Sequence, residues 1–266
     1  MHSHLRGRVA LVTGAGRGLG EIMSNALADA GAKVVLVARS KTQIDQVAAD
    51  ITARGADAIA IAADVSVRQQ VDAAVAAAEA RFGPIDILIN NAGVDEPFGP
   101  IGVIDPDKWW QTQSVHVLGP MYFMSAIIPG MAERGRGHIV NICSLAGTVV
   151  QPNMSAYAVG KATEIRLTEH ADAEWRDRGV HAFAIEPGTI LTSMATNTLN
   201  SEEAKKWVPF GIEFLKSITP EMSEASKQRL VEMIYQLTSG QYDAISGRYL
   251  EPGDDFDALL AEHASQ

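Results

Sequence analysis

Tyr157 and Lys161 are the residues whose types and spacing are best suited to chemistry in this chain. Residues at positions i and i+4 share one face of a helix, so the phenol and the ammonium are expected to lie close together. A free tyrosine has a pKa of about 10 and exchanges protons poorly at neutral pH, but a nearby ammonium is expected to lower that pKa. The pair would then exchange a proton with a carbonyl or alcohol oxygen. Ser144, just after a predicted strand, is expected to orient the same oxygen.

A glycine-rich turn near the start of the chain is suited to binding the phosphates of a dinucleotide. It follows an apolar run at 9–12 and precedes a helical pattern, which is the strand–turn–helix context that such a site requires. Glycine lets the backbone approach a pyrophosphate without a Cβ clash, and the amino end of the following helix favours an anion. A plain tight turn would also use glycine, so the position of the turn carries the prediction. The predicted phosphate-binding residues are Thr13, Gly14, Gly16, Arg17, Gly18, Leu19 and Gly20.

The residues after the second predicted strand favour NADP(H) over NAD(H). An NAD site usually has an acidic residue there, which binds the ribose 2′-hydroxyl, but this chain has Arg39 and Ser40. Arg39, together with Arg17 of the glycine-rich turn, would form charge-assisted hydrogen bonds with a 2′-phosphate. The alternative is that both arginines are solvated surface residues.

Short apolar runs alternate with longer helical patterns along the whole chain. Strands are predicted at 9–12, 33–38, 58–62, 85–90, 138–142, 180–185 and 247–250. The runs have little polar alternation, which is typical of strands covered on both faces, and repeated strand–helix–strand units predict a parallel sheet. The prediction is a single α/β domain over residues 1–266, with a Rossmann-like, doubly wound parallel sheet of about seven strands and helices on both faces. Residues 189–223 follow the sixth strand and are interpreted as a substrate lid, or else as surface helices anchored by aromatic residues.

Composition and charge exclude several classes of protein. The chain has 266 residues, of which 47% are hydrophobic, so it can bury a large core and disorder is excluded. Its formal net charge of −10 is a poor match for nucleic acid, and no cluster of His, Asp and Glu has the spacing of a metal site. The single cysteine, Cys143, cannot form an internal disulfide. The N-terminal segment lacks the apolar stretch of a secretory signal, and a cytoplasmic location is predicted.

The segment 109–132 contains no Asp, Glu, Lys or Arg. A membrane span needs about 20 mainly apolar residues, whereas polar residues, prolines and glycines interrupt this segment. It is interpreted as a helix buried on two sides, against the core and against a second subunit. The chain is therefore predicted to form a homodimer or homotetramer and not to enter a membrane.

Together, in this order, the motifs resemble those of the short-chain dehydrogenase/reductase family, over about residues 8–250. The resemblance implies hydride transfer between NADP(H) and an alcohol/carbonyl pair, with Tyr157 as the acid–base and Ser144 fixing the oxygen. Lys161 would bind ribose and lower the tyrosine pKa. The resemblance also implies that three further segments bind the cofactor, at the adenine, at the ribose side and at the nicotinamide carboxamide. Their residues are Asp64 and Val65, then Asn91, Ala92 and Gly93, then Pro187, Gly188, Ile190 and Thr192.

His116 stands where this family usually has a catalytic asparagine. That asparagine acts partly through its main-chain carbonyl, which holds a water that contacts the lysine. Pro120, four residues later, has no N–H to donate to the His116 carbonyl, so this carbonyl is expected to stay available for the water. The imidazole either takes part in proton transfer or is a neutral histidine packed beneath the active site, and both alternatives stay open.

The predicted function is that of an NADP(H)-dependent oxidoreductase, which interconverts a ketone or aldehyde and an alcohol. The alternatives are an enzyme of the same scaffold that acts on C=N or C=C bonds, a dehydratase, and a non-enzymatic NADP-binding regulator. A regulator would be expected to lack the tyrosine or the lysine. A mostly apolar pocket for a small-molecule substrate is predicted. Its candidate residues are Val94, Leu145, Gln151, Met154, Met194, Trp207 and Phe210.

Overall fold

The computed structural model describes residues 4–265, so the predicted domain limits at 1 and 266, and the first three residues of the N-terminal segment, lie outside the described residues. The chain forms a seven-stranded sheet in the order β3-β2-β1-β4-β5-β6-β7. All six pairings between neighbouring strands are parallel. This confirms the predicted α/β fold. The strands are β1 (Val9–Thr13), β2 (Lys33–Ala38), β3 (Ala58–Ala62), β4 (Ile87–Asn90), β5 (Gly137–Ile142), β6 (Val180–Ile185) and β7 (Tyr249–Leu250).

Two predicted strands are shorter in the structure. The fourth begins at Ile87 rather than at residue 85, and Asp86, just before it, accepts the Val9 N–H with its side chain at 3.1 Å. The seventh pairs only over Tyr249–Leu250, since Gly247 has a φ of 82° and turns the chain just before it.

Helices cover both faces of the sheet. Met23 and Leu27 of one helix are fully buried on one face, and Phe123 and Met131 of another are fully buried on the opposite face. The central strands are buried on both faces, which explains their continuous apolar runs. The helices are α1 (Gly18–Asp29), α2 (Lys41–Ala53), α3 (Arg68–Phe82), α4 (Pro106–Gln113), α5 (Gly119–Glu133), α6 (Ser155–Trp175), α7 (Ser193–Asn200), α8 (Glu202–Trp207), α9 (Pro209–Ser217), α10 (Pro220–Leu237) and α11 (Phe256–Ala264).

A π-helical turn at Ser114–Leu118 joins α4 to α5, so that Pro106–Glu133 is one helical stretch of 28 residues. Its most apolar window has a mean hydropathy of 1.3. By length and composition alone, the stretch is long and apolar enough to cross a membrane. Half of that window is buried inside the chain, including Phe123 and Ile127. A core helix passes the same test, so the stretch is weak evidence for a span. Burial against the core agrees with one side of the prediction, and burial against a second subunit stays a prediction.

The predicted lid at 189–223 consists of a loop, α7, α8, α9 and the start of α10. Beneath it, Phe98, Ala204, Val208 and Ile212 form a small buried apolar cluster, separate from the two large cores. Backbone atoms tie the lid to the loops below it. Asn153 donates to the Trp207 carbonyl at 2.7 Å, and this bond joins α8 to the loop before α6.

Candidate active site

A cavity of about 580 Å³ lies at the carboxyl edge of the sheet. It is bordered by the glycine-rich turn after β1, by the ends of β2, β4 and β5, and by the first turns of α6 and α7. Sixteen of the predicted cofactor-binding residues line it. They are Gly14, Gly16, Arg17, Gly18, Leu19, Arg39, Ser40, Asp64, Val65, Asn91, Ala92, Gly93, Tyr157, Lys161, Pro187 and Thr192.

The glycine-rich turn is shaped so that a Cβ has no room at two positions. Gly14 has a φ of 64°, and a Cβ there would lie 2.9 Å from the Cα of Ala92. A Cβ on Gly20 would lie 2.3 Å from the carbonyl oxygen of Gly14. The residue preceding α1, Arg17, forms no side-chain cap in the described chain, so the first N–H groups of the helix are available to an anion. These features fit the phosphates of a dinucleotide.

Thr13 supports this turn from beneath rather than lining the cavity. Its buried hydroxyl oxygen accepts the N–H groups of Asn91 and Ala92 at 2.9 and 3.0 Å. Asn91 in turn donates its side-chain amide to the Thr13 carbonyl at 2.8 Å. The ends of β1 and β4 are thereby fixed to each other, which holds the glycine-rich turn at the cavity.

Arg17 and Arg39 lie exposed at the cavity's rim, and within residues 4–265 neither forms an ion pair. Ser40 lies beside them at the start of α2. Gln43 also lines this end of the cavity, and a Cβ on Gly16 would lie 2.9 Å from the Cβ of Gln43. Sequence reasoning missed Gln43, although its position four residues after Arg39 was a usable signal. Two unpaired guanidiniums in a chain of net charge −10 form a local site for an anion.

Tyr157 and Lys161 both line the other end of the cavity. The Lys161 Nζ lies 5.7 Å from the centre of the Tyr157 ring. Ser144 forms a hydrogen bond with Tyr157, and its oxygen also accepts the N–H of Ala146 at 3.2 Å. The structure therefore brings the three predicted catalytic side chains together.

The pKa of Tyr157 differs from the sequence expectation. Burial raises the pKa of this phenol above its usual value, while the Lys161 ammonium and the Ser144 hydrogen bond lower it by less. The carboxylates of Glu164 and Glu186 add to the increase. The prediction of a lowered pKa was wrong for the chain alone, because it counted the ammonium and neither the burial nor the carboxylates.

Lys161 is only 4% exposed, and its ammonium has three acceptors. It donates to the Ile142 carbonyl at 2.6 Å and to the two carboxylate oxygens of Glu164 at 3.0 and 3.2 Å. Burial alone lowers the pKa of Lys161, but the attraction of Glu164 and of Tyr157 raises it above its usual value. The ammonium is therefore charged at neutral pH and is held by protein groups.

His116 lies behind Tyr157 and does not line the cavity. Its ring is fully buried, 5.6 Å from the Tyr157 ring between centres, with the two planes nearly perpendicular. Its Nδ1 lies 2.7 Å from Glu164 Oε1, and its Nε2 lies 2.7 Å from the Val94 carbonyl oxygen. Of the two alternatives for this residue, the position is that of a histidine packed beneath the active site.

Three other predicted cofactor residues lie just outside the cavity's lining, as Thr13 does. Gly20 lies closely against the Gly14 carbonyl, and Gly188 has a φ of 74° in the turn after β6. Ile190 packs on the core beneath that turn. Their roles are in the shape of the turns, and their contact with a cofactor stays a prediction.

Of the seven predicted substrate-pocket residues, Val94 and Met194 line the cavity. Met154 and Trp207 pack instead against the apolar cluster under the lid. Phe210 is corrected, because its side chain is 92% exposed. Val208, just before α9, and Ile212, four residues later, face inward, and Phe210 between them points to solvent.

Leu145 and Gln151 lie outside the cavity's lining, in the segment between β5 and α6. Leu145 is exposed, and its N–H donates to the carboxylate of Glu186. Glu186 also accepts the Tyr249 hydroxyl at 3.3 Å, and burial raises the pKa of this carboxyl. Sequence reasoning missed Glu186, which lies between the sheet's edge and this loop.

Comparison with known proteins agrees with this arrangement. The family model described as short chain dehydrogenase matches residues 8–203. A short chain dehydrogenase of Monascus purpureus is 33% identical over 261 residues, which are 96% of this chain and 84% of that protein. The crystal structure of a gluconate 5-dehydrogenase from Burkholderia cenocepacia J2315, in complex with NADP and tartrate, is 30% identical, with a TM-score of 0.82 over 97% of this chain and 98% of that one. An NAD+-bound xylitol dehydrogenase also has a TM-score of 0.82, at 25% identity over 93% of this chain and 98% of that one.

Proposed function

The chain belongs to the short-chain dehydrogenase family, and we propose that it is an NADP(H)-dependent oxidoreductase, which interconverts a ketone or aldehyde and an alcohol. One observation carries the proposal. Tyr157, hydrogen-bonded to Ser144 and close to Lys161, lies in the same cavity as the glycine-rich turn. A site for proton exchange and a site for a dinucleotide thus form one continuous space.

NADP(H) is the cofactor that the residues of the cavity fit best. The glycine-rich turn and the amino end of α1 would hold the pyrophosphate, and Arg17, Arg39 and Ser40 would hold the 2′-phosphate. Asp64 and Val65 would lie at the adenine, and Asn91 to Gly93 at the ribose. When bound, the nicotinamide supplies a hydride to the carbonyl carbon, or accepts one from the alcohol.

The chain's own groups handle the oxygen and the proton. The hydroxyls of Ser144 and Tyr157 would both contact the substrate oxygen, and Tyr157 would donate its proton to that oxygen during reduction. In oxidation, Tyr157 would take the proton from the alcohol. Because the Lys161 contacts to Glu164 at 3.0 and 3.2 Å can share one N–H, a further N–H remains to hold a ribose hydroxyl. Its positive charge also favours the phenolate form of Tyr157.

We propose a small carbonyl or hydroxyl compound as the substrate. Val94 and Met194 give the cavity apolar walls near Tyr157, which favours an uncharged group beside the reacting carbon. The gluconate 5-dehydrogenase and xylitol dehydrogenase named above make polyhydroxylated carbonyl compounds the first members of the panel to test. A homodimer or homotetramer, formed through the exposed side of Pro106–Glu133, and a cytoplasmic location complete the proposal. Light scattering at micromolar concentration that gives the mass of a monomer would contradict the oligomer.

The proposal is tested by following NADPH or NADH absorbance with a panel of ketones, aldehydes, imines and conjugated enones. Consumption of NADPH with ketones or aldehydes, faster than of NADH, is expected. Tyr157→Phe should lose that activity while the protein keeps its circular dichroism spectrum. Turnover confined to imines or enones, or activity that persists in Tyr157→Phe, would contradict the proposal.

A further inference from the structure

A cluster of ionisable side chains lies buried next to Tyr157 and reaches the cavity only through Lys161. His116 is fully buried, Glu164 is 1% exposed and Lys161 is 4% exposed. Glu164 lies at the centre, with Oε1 at 2.7 Å from His116 Nδ1 and Oε2 at 3.0 Å from Lys161 Nζ. The buried carboxylate of Glu164 thus contacts both His116, which stands where the family usually has an asparagine, and Lys161, the lysine of the proposed reaction.

The hydrogen-bond partners of His116 determine where protons lie in this cluster. Its Nε2 lies 2.7 Å from the Val94 carbonyl oxygen and 3.2 Å from the Val94 nitrogen, so both backbone groups of one residue face it. Its Nδ1 faces a carboxylate oxygen of Glu164. Because two acceptor atoms would repel each other at 2.7 Å, one proton lies between His116 Nδ1 and Glu164 Oε1.

The backbone around His116 leaves room for an imidazole. A Cβ on Gly93 would lie 2.9 Å from His116 Cε1, and a Cβ on Gly160 would lie 2.7 Å from His116 Cβ. His116 belongs to the π-helical turn at Ser114–Leu118, where it is buried. Both glycines lie against its imidazole, so the ring's position is fixed on two sides.

Hydrogen bonds of Thr168 also fix the backbone of α6 next to Glu164. Thr168 donates its hydroxyl to the Glu164 carbonyl at 2.8 Å and accepts the side-chain amide of Asn141 at 2.8 Å. Asn141 accepts from Asn90 of the neighbouring strand at 2.8 Å. The backbone of Glu164 is thereby tied to β4 and β5.

We propose that Glu164 is a positioning residue of the reaction, whose carboxylate orients Lys161 and His116 from behind and sets the pH at which Tyr157 exchanges its proton. The inference rests on the proposed function for its kinetic part. It adds a direct carboxylate contact to the ammonium, and the expected water between the His116 carbonyl and Lys161 stays a prediction. A buried charge of this kind is strongly coupled to its neighbours, and removing it leaves the ammonium without its counterion.

The other charged and titratable groups near Glu164 do not take over its role. Cys143 of the loop after β5 donates weakly to Oε2 at 3.9 Å. Glu186, after β6, is directed to the Leu145 N–H and the Tyr249 hydroxyl. Glu164 raises the pKa values of both Tyr157 and Lys161. Its neutralisation should therefore lower the pKa of the phenol.

The experiment compares Glu164→Gln, which keeps the shape and loses the charge, with Glu164→Asp, which keeps the charge. Glu174→Gln is the matched control, since it removes a carboxylate from the exposed end of the same helix. In Glu164→Gln the alkaline limb of the kcat/KM profile for reduction should move about one pH unit lower, the direction expected when a negative neighbour is lost. Glu164→Asp should keep the limb and lower kcat with little change in KM, and Glu174→Gln should change neither. An unmoved limb in Glu164→Gln would overturn the proposal.

Two readouts do not depend on a substrate. Absorbance of tyrosinate, taken as the difference between each protein and its Tyr157→Phe counterpart, should show the phenol ionising at lower pH in Glu164→Gln. If the wild-type protein reduces no carbonyl but this difference is present, the proposed function fails and the role of Glu164 stands.

Should Glu164→Gln not fold, nitrogen-15 NMR of the wild-type histidines decides the matter, with His116 assigned through His116→Asn. A His116 Nδ1–H, or a proton shared with Glu164, that exchanges slowly with water is expected. A proton that exchanges as quickly as those of exposed histidines would overturn the proposal.

Discussion

Arg39 offers the sharpest test of cofactor selection. Its guanidinium lies at the cavity's rim next to Ser40 and has no ion-pair partner in the described part of the chain. Replacing it by alanine removes a cation that forms no ion pair within residues 4–265, so the stability of the protein should be unchanged. Only a ligand that carries an anionic group at this position should be affected.

The expected magnitude follows from the exposure of the side chain. A hydrogen bond to a charged group contributes about 1.5–3 kcal/mol, and solvent screening at an exposed site reduces this to about 1–2 kcal/mol. Since 1.4 kcal/mol is a factor of ten, Arg39→Ala should weaken NADPH binding by about 5- to 30-fold. NADH, which lacks the 2′-phosphate, should bind within about twofold of its wild-type affinity. The loss for NADPH should shrink as salt is raised, because the Debye length falls to about 8 Å at physiological ionic strength.

The assay is a fluorescence titration of each reduced cofactor, at low and at high salt. Lys41→Ala is the matched control, since Lys41 is a neighbouring exposed cation that Asp45 already pairs at 2.6 Å. The control should leave the ratio of NADPH to NADH affinity unchanged. The reasoning would be refuted by an unchanged ratio in Arg39→Ala, or by an equal loss for both cofactors.

The remaining predictions concern the lid, the glycine-rich turn and pH. Phe98→Ala empties the apolar cluster under the lid and should lower the free energy of unfolding in urea by about 3 kcal/mol, whereas Phe210→Ala on the exposed face should change it by less than about 0.5 kcal/mol. Equal effects would contradict the assignment of their faces. Gly20→Ala puts a Cβ 2.3 Å from the Gly14 carbonyl oxygen, so NADPH binding in the same titration should weaken, while Gly253→Ala, in open space, should leave it unchanged. Because burial raises the pKa of Tyr157 above its usual value, the phenol stays protonated through neutral pH, and kcat/KM for reduction should stay level there and fall only in the alkaline range; a fall near neutral pH would count against this.

Much of the fold was predictable because a strand that is buried on both faces is a continuous apolar run in the sequence. The runs at 33–38 and 180–185 coincide with buried strands, and the run at 58–62 coincides with an edge strand that is only partly buried. The ends of other strands lie at contacts between residues far apart in the sequence, such as the Asp86 carboxylate bound to the Val9 N–H. No periodicity in the sequence predicts such a contact, because its two residues are 77 positions apart.

The site was predictable where its geometry is local. Tyr157 and Lys161 share a helix face, and so does Glu164, whose position three residues after Lys161 was an unused signal. Its hydrogen-bond partner His116 is 48 residues away in the sequence, so only tertiary packing brings the two side chains together. The direction of the Tyr157 pKa depends on that same packing, because burial outweighs the ammonium. Spacing alone therefore predicted that Tyr157 lies beside Lys161, but not the direction of the Tyr157 pKa.

The short helices of the lid were the least predictable part. Trp207 and Phe210 stand close in the sequence, yet one packs on the cluster under the lid and the other points to solvent. Helices of six and nine residues carry too few apolar positions to fix which side faces inward. Their orientation is set by the loops below, through bonds such as that of Asn153 with the Trp207 carbonyl.

The central claim is that Tyr157 gives its proton to a substrate oxygen beside a bound nicotinamide. A single-turnover measurement tests it most directly: NADPH-loaded protein is mixed with a carbonyl compound that the wild type reduces, and loss of NADPH absorbance is followed in the wild type and in Tyr157→Phe. The account predicts a rate about 10²–10⁴ times lower in the variant, the usual contribution of a general acid, with NADPH affinity nearly unchanged. A rate in Tyr157→Phe close to that of the wild type would contradict it.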